Sequence, residues 1–148
     1  MALSLVSKIV LYADIGVMGL LGILLFFWQI NVLRGKAMKN PDGSVDDFRE
    51  QKVLYGMALM DLVLAVPVTL LGVVLIFAGQ PVGLFVTAMT AFWFVWVNGA
   101  FTVTSFRFQK PKMTLMWFIV YPFGAIVGLV YLVWFFVHLE EILRHASL

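Results

Sequence analysis

The residues of this chain that could do chemistry are polar side chains placed inside long apolar runs. Asp61 is the clearest case, because it lies eight residues into an apolar run that begins after Lys52 and includes Val53. An ionisable side chain at the centre of a membrane-spanning helix costs on the order of 2.5–3.5 kcal/mol, so it needs a partner or a wet cavity. Asp61 is therefore a candidate for proton coupling or cation binding, and a neutral, hydrogen-bonded carboxyl is the alternative.

Asn98 and Tyr121 are predicted to lie at the same depth as Asp61. Asn98 comes eight residues before Phe106, at the end of the third apolar run, and Tyr121 comes eight residues after Met113, at the start of the fourth. At ~1.5 Å per residue, eight residues place each side chain about 12 Å from the same face of a membrane. The sequence therefore predicts one polar layer contributed by three helices.

Helical spacing extends this layer into three stripes of small or polar residues, because residues three, four or seven apart share a helix face. The stripes comprise Asp61, Ala65 and Gly72 in the second run, Thr87, Ala91, Asn98, Thr102 and Ser105 in the third, and Tyr121, Gly124, Gly128, Tyr131 and His138 in the fourth. Two interpretations stay open. The stripes are either packing seams between helices or the lining of a polar cavity around Asp61.

Asp14 is a further candidate in the first apolar run, five residues from its outer end. An acid at that level can reach the headgroups, and a pair between Asp14 and His138 is one option. The partner of Asp61 is also open, with Arg107 and Asn98 as the alternatives. The predicted ligand-binding or proton-coupling residues are Asp61, Asn98, Tyr121, Thr102 and Asp14.

The C-terminal segment carries His138, Glu141 and His145, which would share one face if the helix continued. Imidazole and carboxylate groups suit zinc, so these three residues are a weak alternative metal site. A solvated helix end is the preferred explanation of these residues, and we predict neither a metal nor a cofactor. The absence of cysteine excludes disulfide exchange and thiolate metal sites. No pair of nucleophile and base stands out, so an enzyme is the least favoured class of function.

The elements that must position these residues are membrane-spanning helices. The chain has 148 residues, of which 63% are hydrophobic and 12% charged, against about 45–50% and about 25% in soluble domains. Four apolar runs, 9–33, 53–78, 82–106 and 113–137, each exceed the ~20 residues that a spanning helix needs. We therefore predict an all-α, four-transmembrane-helix bundle with short loops, a single domain over residues 1–148. Residues 79–81 form a tight turn, and Pro67 and Pro122 interrupt their helices.

The basic residues predict the orientation of this bundle. Two of its loops, 34–52 and 107–112, hold eight basic residues, whereas the opposite side holds only Lys8 and Arg144. The eight are Arg34, Lys36, Lys39, Arg49, Lys52, Arg107, Lys110 and Lys112. Because basic loops stay in the cytoplasm, we expect both termini on the non-cytoplasmic side of a plasma or bacterial inner membrane.

The preferred functional hypothesis is a small membrane protein that binds or transports a lipophilic solute or cation near Asp61. The alternative is a non-catalytic accessory or assembly subunit of a larger membrane complex. Membrane lipids are expected partners, and the Gly16, Gly19 and Gly22 series on the first span suggests a homo-oligomer. Ten scattered basic residues are too few for a nucleic-acid face, so no nucleic acid is expected as a partner.

Overall fold

The computed structural model describes residues 3–36, 48–108 and 115–146, so most of the predicted loop 34–52 lies outside the described residues. Four helices are long and apolar enough to cross a membrane, which confirms the predicted all-α, four-span bundle. The helices are α1 (Leu5–Leu33), α2 (residues 48–77), α3 (Val82–Phe108), α4 (residues 115–137) and a short α5 (Leu139–Ala146). Their bounds fall within five residues of the predicted ones.

Helix α1 begins at Leu5, four residues earlier than the apolar run predicts. The reason is a cap: the hydroxyl of Ser4 accepts a hydrogen bond of 3.2 Å from the backbone N–H of Ser7, which satisfies one of the free donors of the first turn. At the other end, Gly35 follows with φ +71°. This left-handed conformation is the usual way for a helix to stop.

The connection between α2 and α3 is the tight turn that the sequence predicts. Gly79 adopts φ +72°, and the N–H of Gln80 donates to the carbonyl of Leu75 at 2.8 Å. Beyond the turn the two helices approach closely, since a Cβ built on Gly83 would lie 2.7 Å from the backbone nitrogen of Ile76. Only glycine fits at that contact.

Both helices that contain an internal proline widen into a π-helical turn. In α2 this turn spans Asp61–Ala65, two residues before Pro67, and in α4 it spans Ile119–Phe123, with Pro122 inside it. Proline lacks an N–H and its ring clashes with the carbonyl four residues earlier. A π-helical turn adds a residue and changes the hydrogen-bond register at such a place. Asp61 is thus the first residue of a widened turn.

The four spanning helices form a closed ring in which each helix touches two neighbours. Helix α1 packs against α2 and α4, and α3 packs against α2 and α4 from the opposite side. The buried core between them includes Ile15, Met18, Phe94, Val127 and Tyr131. Large apolar side chains such as Leu20, Phe92 and Val133 point outward and are exposed, where bilayer hydrocarbon would surround them.

The glycines of α1 are used mainly inside the chain. A Cβ on Gly19 would lie 3.6 Å from the side chain of Val73, and one on Gly22 would lie 3.6 Å from Thr69, both in α2. Gly16 alone among the three is exposed with open space around it. The series therefore forms part of the α1–α2 contact rather than one continuous outward face.

Candidate functional site

Asp61 is buried and bonded to a neutral amide. Its side chain is 7% exposed, and its Oδ2 accepts a hydrogen bond from Nε2 of Gln29 at 2.5 Å. Gln29 lies four residues before the end of α1, which packs directly against the Asp61–Ala65 turn. The described partner of Asp61 is thus Gln29, rather than the Arg107 or Asn98 considered from the sequence. An amide donor stabilises the carboxylate without neutralising its charge.

Sequence reasoning missed Gln29 because hydropathy marks depth along a helix but says little about which face meets a neighbour. Gln29 is an amide near the inner end of the first apolar run, and this was the available signal. Its long side chain extends from there to reach Asp61. A search for amides and hydroxyls within about one helical turn of the depth of Asp61 would have included it.

Asn98 belongs to the seam between α3 and α4. It is 7% exposed, and a Cβ built on Gly124 would lie 2.7 Å from its Nδ2. The hydroxyl of Thr102 donates to the carbonyl of Asn98 at 2.7 Å. One turn away, a Cβ on Gly128 would lie 2.6 Å from the carbonyl oxygen of Ala91. These contacts fit the packing interpretation of the two stripes.

Tyr121 takes part in an aromatic stack at the inner end of the same seam. Its ring lies 4.8 Å from that of Phe101 and 4.7 Å from that of Trp117. A half-open groove runs beside it, lined by Trp28, Trp117, Val120 and Tyr121, with about 10 Å³ of space for a water-sized molecule. Such a space holds about one water molecule. Binding of a larger solute in this groove would require the helices to move apart.

These contacts place Asp61, Asn98 and Tyr121 at similar depth but on different sides of the ring. Asp61 is hydrogen-bonded to Gln29 and therefore lies level with it. Trp28, the residue before Gln29, lines the same groove as Tyr121. Asn98 meets Gly124, three residues after Tyr121. The described contacts bring Asn98 and Tyr121 to the α3–α4 seam and Asp61 to the α1–α2 contact.

Asp14 and His138 do not form the pair that the sequence suggested. Nδ1 of His138 lies 2.8 Å from the carbonyl of Trp134, which can only accept, so Nδ1 donates. In the neutral ring Nε2 is then the acceptor, and it lies 2.9 Å from the hydroxyl of Ser7. Nε1 of Trp134 donates to the same hydroxyl at 2.8 Å. His138 therefore ties the end of α4 to the first turns of α1.

The weak alternative metal site receives no support from this arrangement. Both ring nitrogens of His138 are engaged in hydrogen bonds, and the side chain of His145 lies outside the described part of the structure. Within the described residues, no group of three or more His, Cys, Asp or Glu side chains could hold a metal ion.

Comparison with protein-family models, with curated proteins and with solved structures finds no match to this chain. The chemistry of the candidate site is therefore inferred from its own residues. Its central feature is a buried carboxylate on a π-helical turn, bonded to a glutamine of the adjacent helix.

Proposed function

We propose that this protein binds or transports a cation, or a lipophilic solute together with a proton, at Asp61. The observation that supports this function is the neutral partner of a buried carboxylate. Asp61 is 7% exposed and its described hydrogen bond comes from Gln29. A carboxylate at this depth gains a proton or another cation far more readily than one already paired with lysine or arginine.

The surroundings of Asp61 suit a hard cation. The carboxylate of Asp61 and the side-chain amide of Gln29 both offer oxygen atoms. Oxygen atoms are the ligands that alkali cations prefer, and they also accept protons. The π-helical turn that begins at Asp61 disturbs the regular hydrogen bonding of the helix, and such turns occur frequently at functional sites. A side chain needed only for packing would not require an acid in this place.

Within this proposal, both termini lie on the non-cytoplasmic side of a plasma or bacterial inner membrane. The basic residues Arg34, Lys36, Lys52 and Arg107 occur at the ends of α1, α2 and α3 on the predicted cytoplasmic side. A cation released at Asp61 would then enter the cytoplasm, because this carboxylate lies nearer to that side.

Replacement of Asp61 by asparagine tests the proposed function directly. Purified protein in liposomes is assayed for uptake of protons, with a pH-sensitive dye, and of tetraphenylphosphonium as a lipophilic cation. We expect uptake by the wild type and at least a tenfold loss in Asp61→Asn. Glu140→Gln is the control, because Glu140 is exposed beyond the spans and pairs with Arg144. Equal uptake by wild type and Asp61→Asn, or no uptake of either probe by the wild type, contradicts transport at this site.

The second candidate function is a non-catalytic subunit of a larger membrane complex, or of a homo-oligomer. The small volume of the described groove favours it, since about 10 Å³ does not accommodate a solute. Gly124 and Gly128 face α3 within the chain, so substitutions there would disturb the fold. Gly16 is exposed with open space around it, and Gly16→Leu is the appropriate probe. Loss of a co-purifying chain in Gly16→Leu, with Asp61→Asn silent, would favour this function.

A further inference from the structure

The hydroxyl of Ser7 and the imidazole of His138 meet at the outer end of the bundle, although they are 131 positions apart in the chain. Oγ of Ser7 lies 2.9 Å from Nε2 of His138, and we call these two residues the Ser7–His138 pair. Ser7 precedes Gln29 by 22 residues on α1, which corresponds to about 33 Å along the helix axis. The pair is thus separate from the site at Asp61.

The two hydrogen bonds of His138 set the direction in which a proton can move. Nδ1 lies 2.8 Å from the carbonyl oxygen of Trp134, which can only accept, so Nδ1 carries the ring proton and the neutral ring presents a lone pair at Nε2. Ser7 therefore donates its hydroxyl proton to Nε2. A hydroxyl bonded to a base that a third group orients is the arrangement by which enzymes activate a serine nucleophile.

Trp134 supports the pair through two further contacts. Its Nε1 donates to Oγ of Ser7 at 2.8 Å, so the hydroxyl accepts from the indole and keeps its own proton for His138. The indole also stacks on the imidazole, with ring centroids 4.6 Å apart and 22° between the ring planes. A positive charge within about 6 Å of an indole face is attracted to it. This stack would therefore stabilise the imidazolium that forms when Ser7 loses its proton.

The place of Ser7 in α1 favours the negative charge that an attack on a carbonyl group creates. Ser7 lies in the first turn of α1, which begins at Leu5, and the start of a helix carries the positive end of its dipole. The backbone N–H groups of Leu5 and Val6 have no acceptor within the helix. This end of α1 therefore supplies hydrogen-bond donors for an oxyanion that forms near Ser7.

A backbone carbonyl, rather than a carboxylate, orients the imidazole. The charged side chains described at this end of the bundle are Lys8 on α1 and Glu140, Glu141 and Arg144 on α5. Glu140 pairs with Arg144 on the exposed side of α5, and both ring nitrogens of His138 are already bonded to Ser7 and Trp134. Nε2 of His138 is thus the atom that receives the Ser7 proton.

The surroundings of the pair suit an amphiphilic substrate. The last spanning segment ends at Val137, so His138 is the first residue beyond it and lies where hydrocarbon gives way to headgroups. Val6 and Val137, which precede Ser7 and His138, are 70% and 73% exposed. Ser7 and His138 are themselves half-buried, so the pair is open on one side. The ester groups of membrane lipids lie at this level, with their acyl chains in the hydrocarbon.

We propose that Ser7 and His138 are the nucleophile and general base of a hydrolase that cleaves carboxylic esters of lipids at the membrane surface. Oγ of Ser7 forms a bond to the ester carbonyl carbon, Nε2 of His138 takes the hydroxyl proton, and an electron pair moves to the carbonyl oxygen. The electron pair returns as the bond to the alcohol breaks, and the leaving oxygen takes the proton from Nε2. Water then repeats both steps on the acyl group of Ser7 and releases the carboxylic acid.

Labelling with an alkyl fluorophosphonate tests the nucleophile, because this reagent loses fluoride and phosphonylates serine hydroxyls that a base activates. The full chain in nanodiscs is treated with the reagent, and the adduct is located by mass spectrometry. We expect one adduct at Ser7, none in Ser7→Ala, and a labelling rate at least about a hundredfold lower in His138→Gln. Ser105→Ala is the matched control and should be labelled like the wild type. Ser105 is a buried serine that donates to the carbonyl of Phe101.

The pH dependence of labelling and the hydrolysis of p-nitrophenyl octanoate give readouts that a purely structural pair would not produce. The wild-type labelling rate should fall in acid with the slope of a single proton, because protonated imidazole cannot act as a base. Wild type and Ser105→Ala should hydrolyse the ester, whereas Ser7→Ala and His138→Gln should not.

The proposal is overturned if wild-type Ser7 is not labelled, or if its labelling rate does not fall in acid; neither result depends on a variant that folds. It is also overturned if His138→Gln is labelled as fast as the wild type. None of these outcomes decides transport at Asp61, which the liposome assay measures separately.

Discussion

Asp61 has a hydrogen-bond donor, whereas Oδ2 of Asp14 has none among the described residues, although both lie on membrane-spanning helices. The difference arises from the neighbouring helix. A glutamine of α1 reaches Asp61, whereas no described side chain donates to Oδ2 of Asp14. The two carboxyl groups therefore differ in the hydrogen bonding of their side chains.

The hydrogen bond from Gln29 should contribute measurably to stability. Gln29→Leu keeps a side chain of similar size but removes the donor, which leaves the buried Asp61 carboxylate without its described partner. We expect a loss of about 1–3 kcal/mol in the free energy of unfolding, measured by titration with sodium dodecyl sulfate in mixed micelles. Asn31→Leu is the control, because Asn31 is an exposed amide on the same helix. If both variants unfold at the same detergent fraction, the Gln29–Asp61 bond does not stabilise the fold.

At the scale of helices, the fold depends on close approach at glycines and on widened turns at prolines. Gly128 allows α4 to touch the backbone of α3, and small residues at such contacts let membrane helices pack closely. The two π-helical turns occur in α2 and α4, which are the helices with an internal proline. The first of these turns sets the position of Asp61 against α1.

Alanine substitutions at Gly128 and Gly56 are predicted to differ in their effect on the free energy of unfolding. In Gly128→Ala the new Cβ would lie 2.6 Å from the carbonyl oxygen of Ala91, so α3 and α4 must move apart. We expect a loss of about 1–3 kcal/mol in the free energy of unfolding, the usual cost of overpacking. Gly56→Ala has open space around its Cβ and should be neutral or gain up to about 1 kcal/mol from helix propensity. Equal stability of the two variants in detergent titration would rule out this close contact.

The bonds among Ser7, Trp134 and His138 predict how the outer end of the bundle is held. In Ser7→Ala the indole of Trp134 keeps only the backbone carbonyl of residue 7, at 3.1 Å, and His138 loses its hydroxyl partner. We expect faster amide hydrogen exchange in the first turns of α1, because local opening there becomes easier. Val6→Ala is the control, since Val6 is exposed. Unchanged exchange in Ser7→Ala would show that α1 is held by apolar packing alone.

For the whole molecule, length and hydropathy were sufficient to predict four spans, and helical period was sufficient to predict which faces turn inward. Thr87, Asn98, Gly124 and Tyr131 are all buried, as their stripes predict. The pairing of side chains across helices was not predictable in the same way. It depends on the rotation of each helix, which is set by packing rather than by the pattern along one helix. Gln29 and Ser7 became visible as partners only once those rotations were known.

The orientation of the whole bundle can be tested with single cysteines, because the natural chain has none. Gln80 is exposed in the turn between α2 and α3, and Lys36 is exposed beyond the end of α1. With basic loops held in the cytoplasm, Gln80→Cys should react with a membrane-impermeant maleimide in intact cells. Lys36→Cys should react only after permeabilisation, and it leaves seven of the eight basic residues that set the orientation.

Three outcomes of this labelling have distinct meanings for the two carboxyl groups. The expected pattern places Asp14 toward the exterior and Asp61 toward the cytoplasm. The reversed pattern contradicts the orientation and exchanges the sides to which the two carboxyl groups lie nearer, while leaving their hydrogen bonds unchanged. Labelling of both cysteines in intact cells would mean that the chain inserts in both directions. In that case the bias of eight basic residues against two does not control insertion, and cation release at Asp61 would have no single direction.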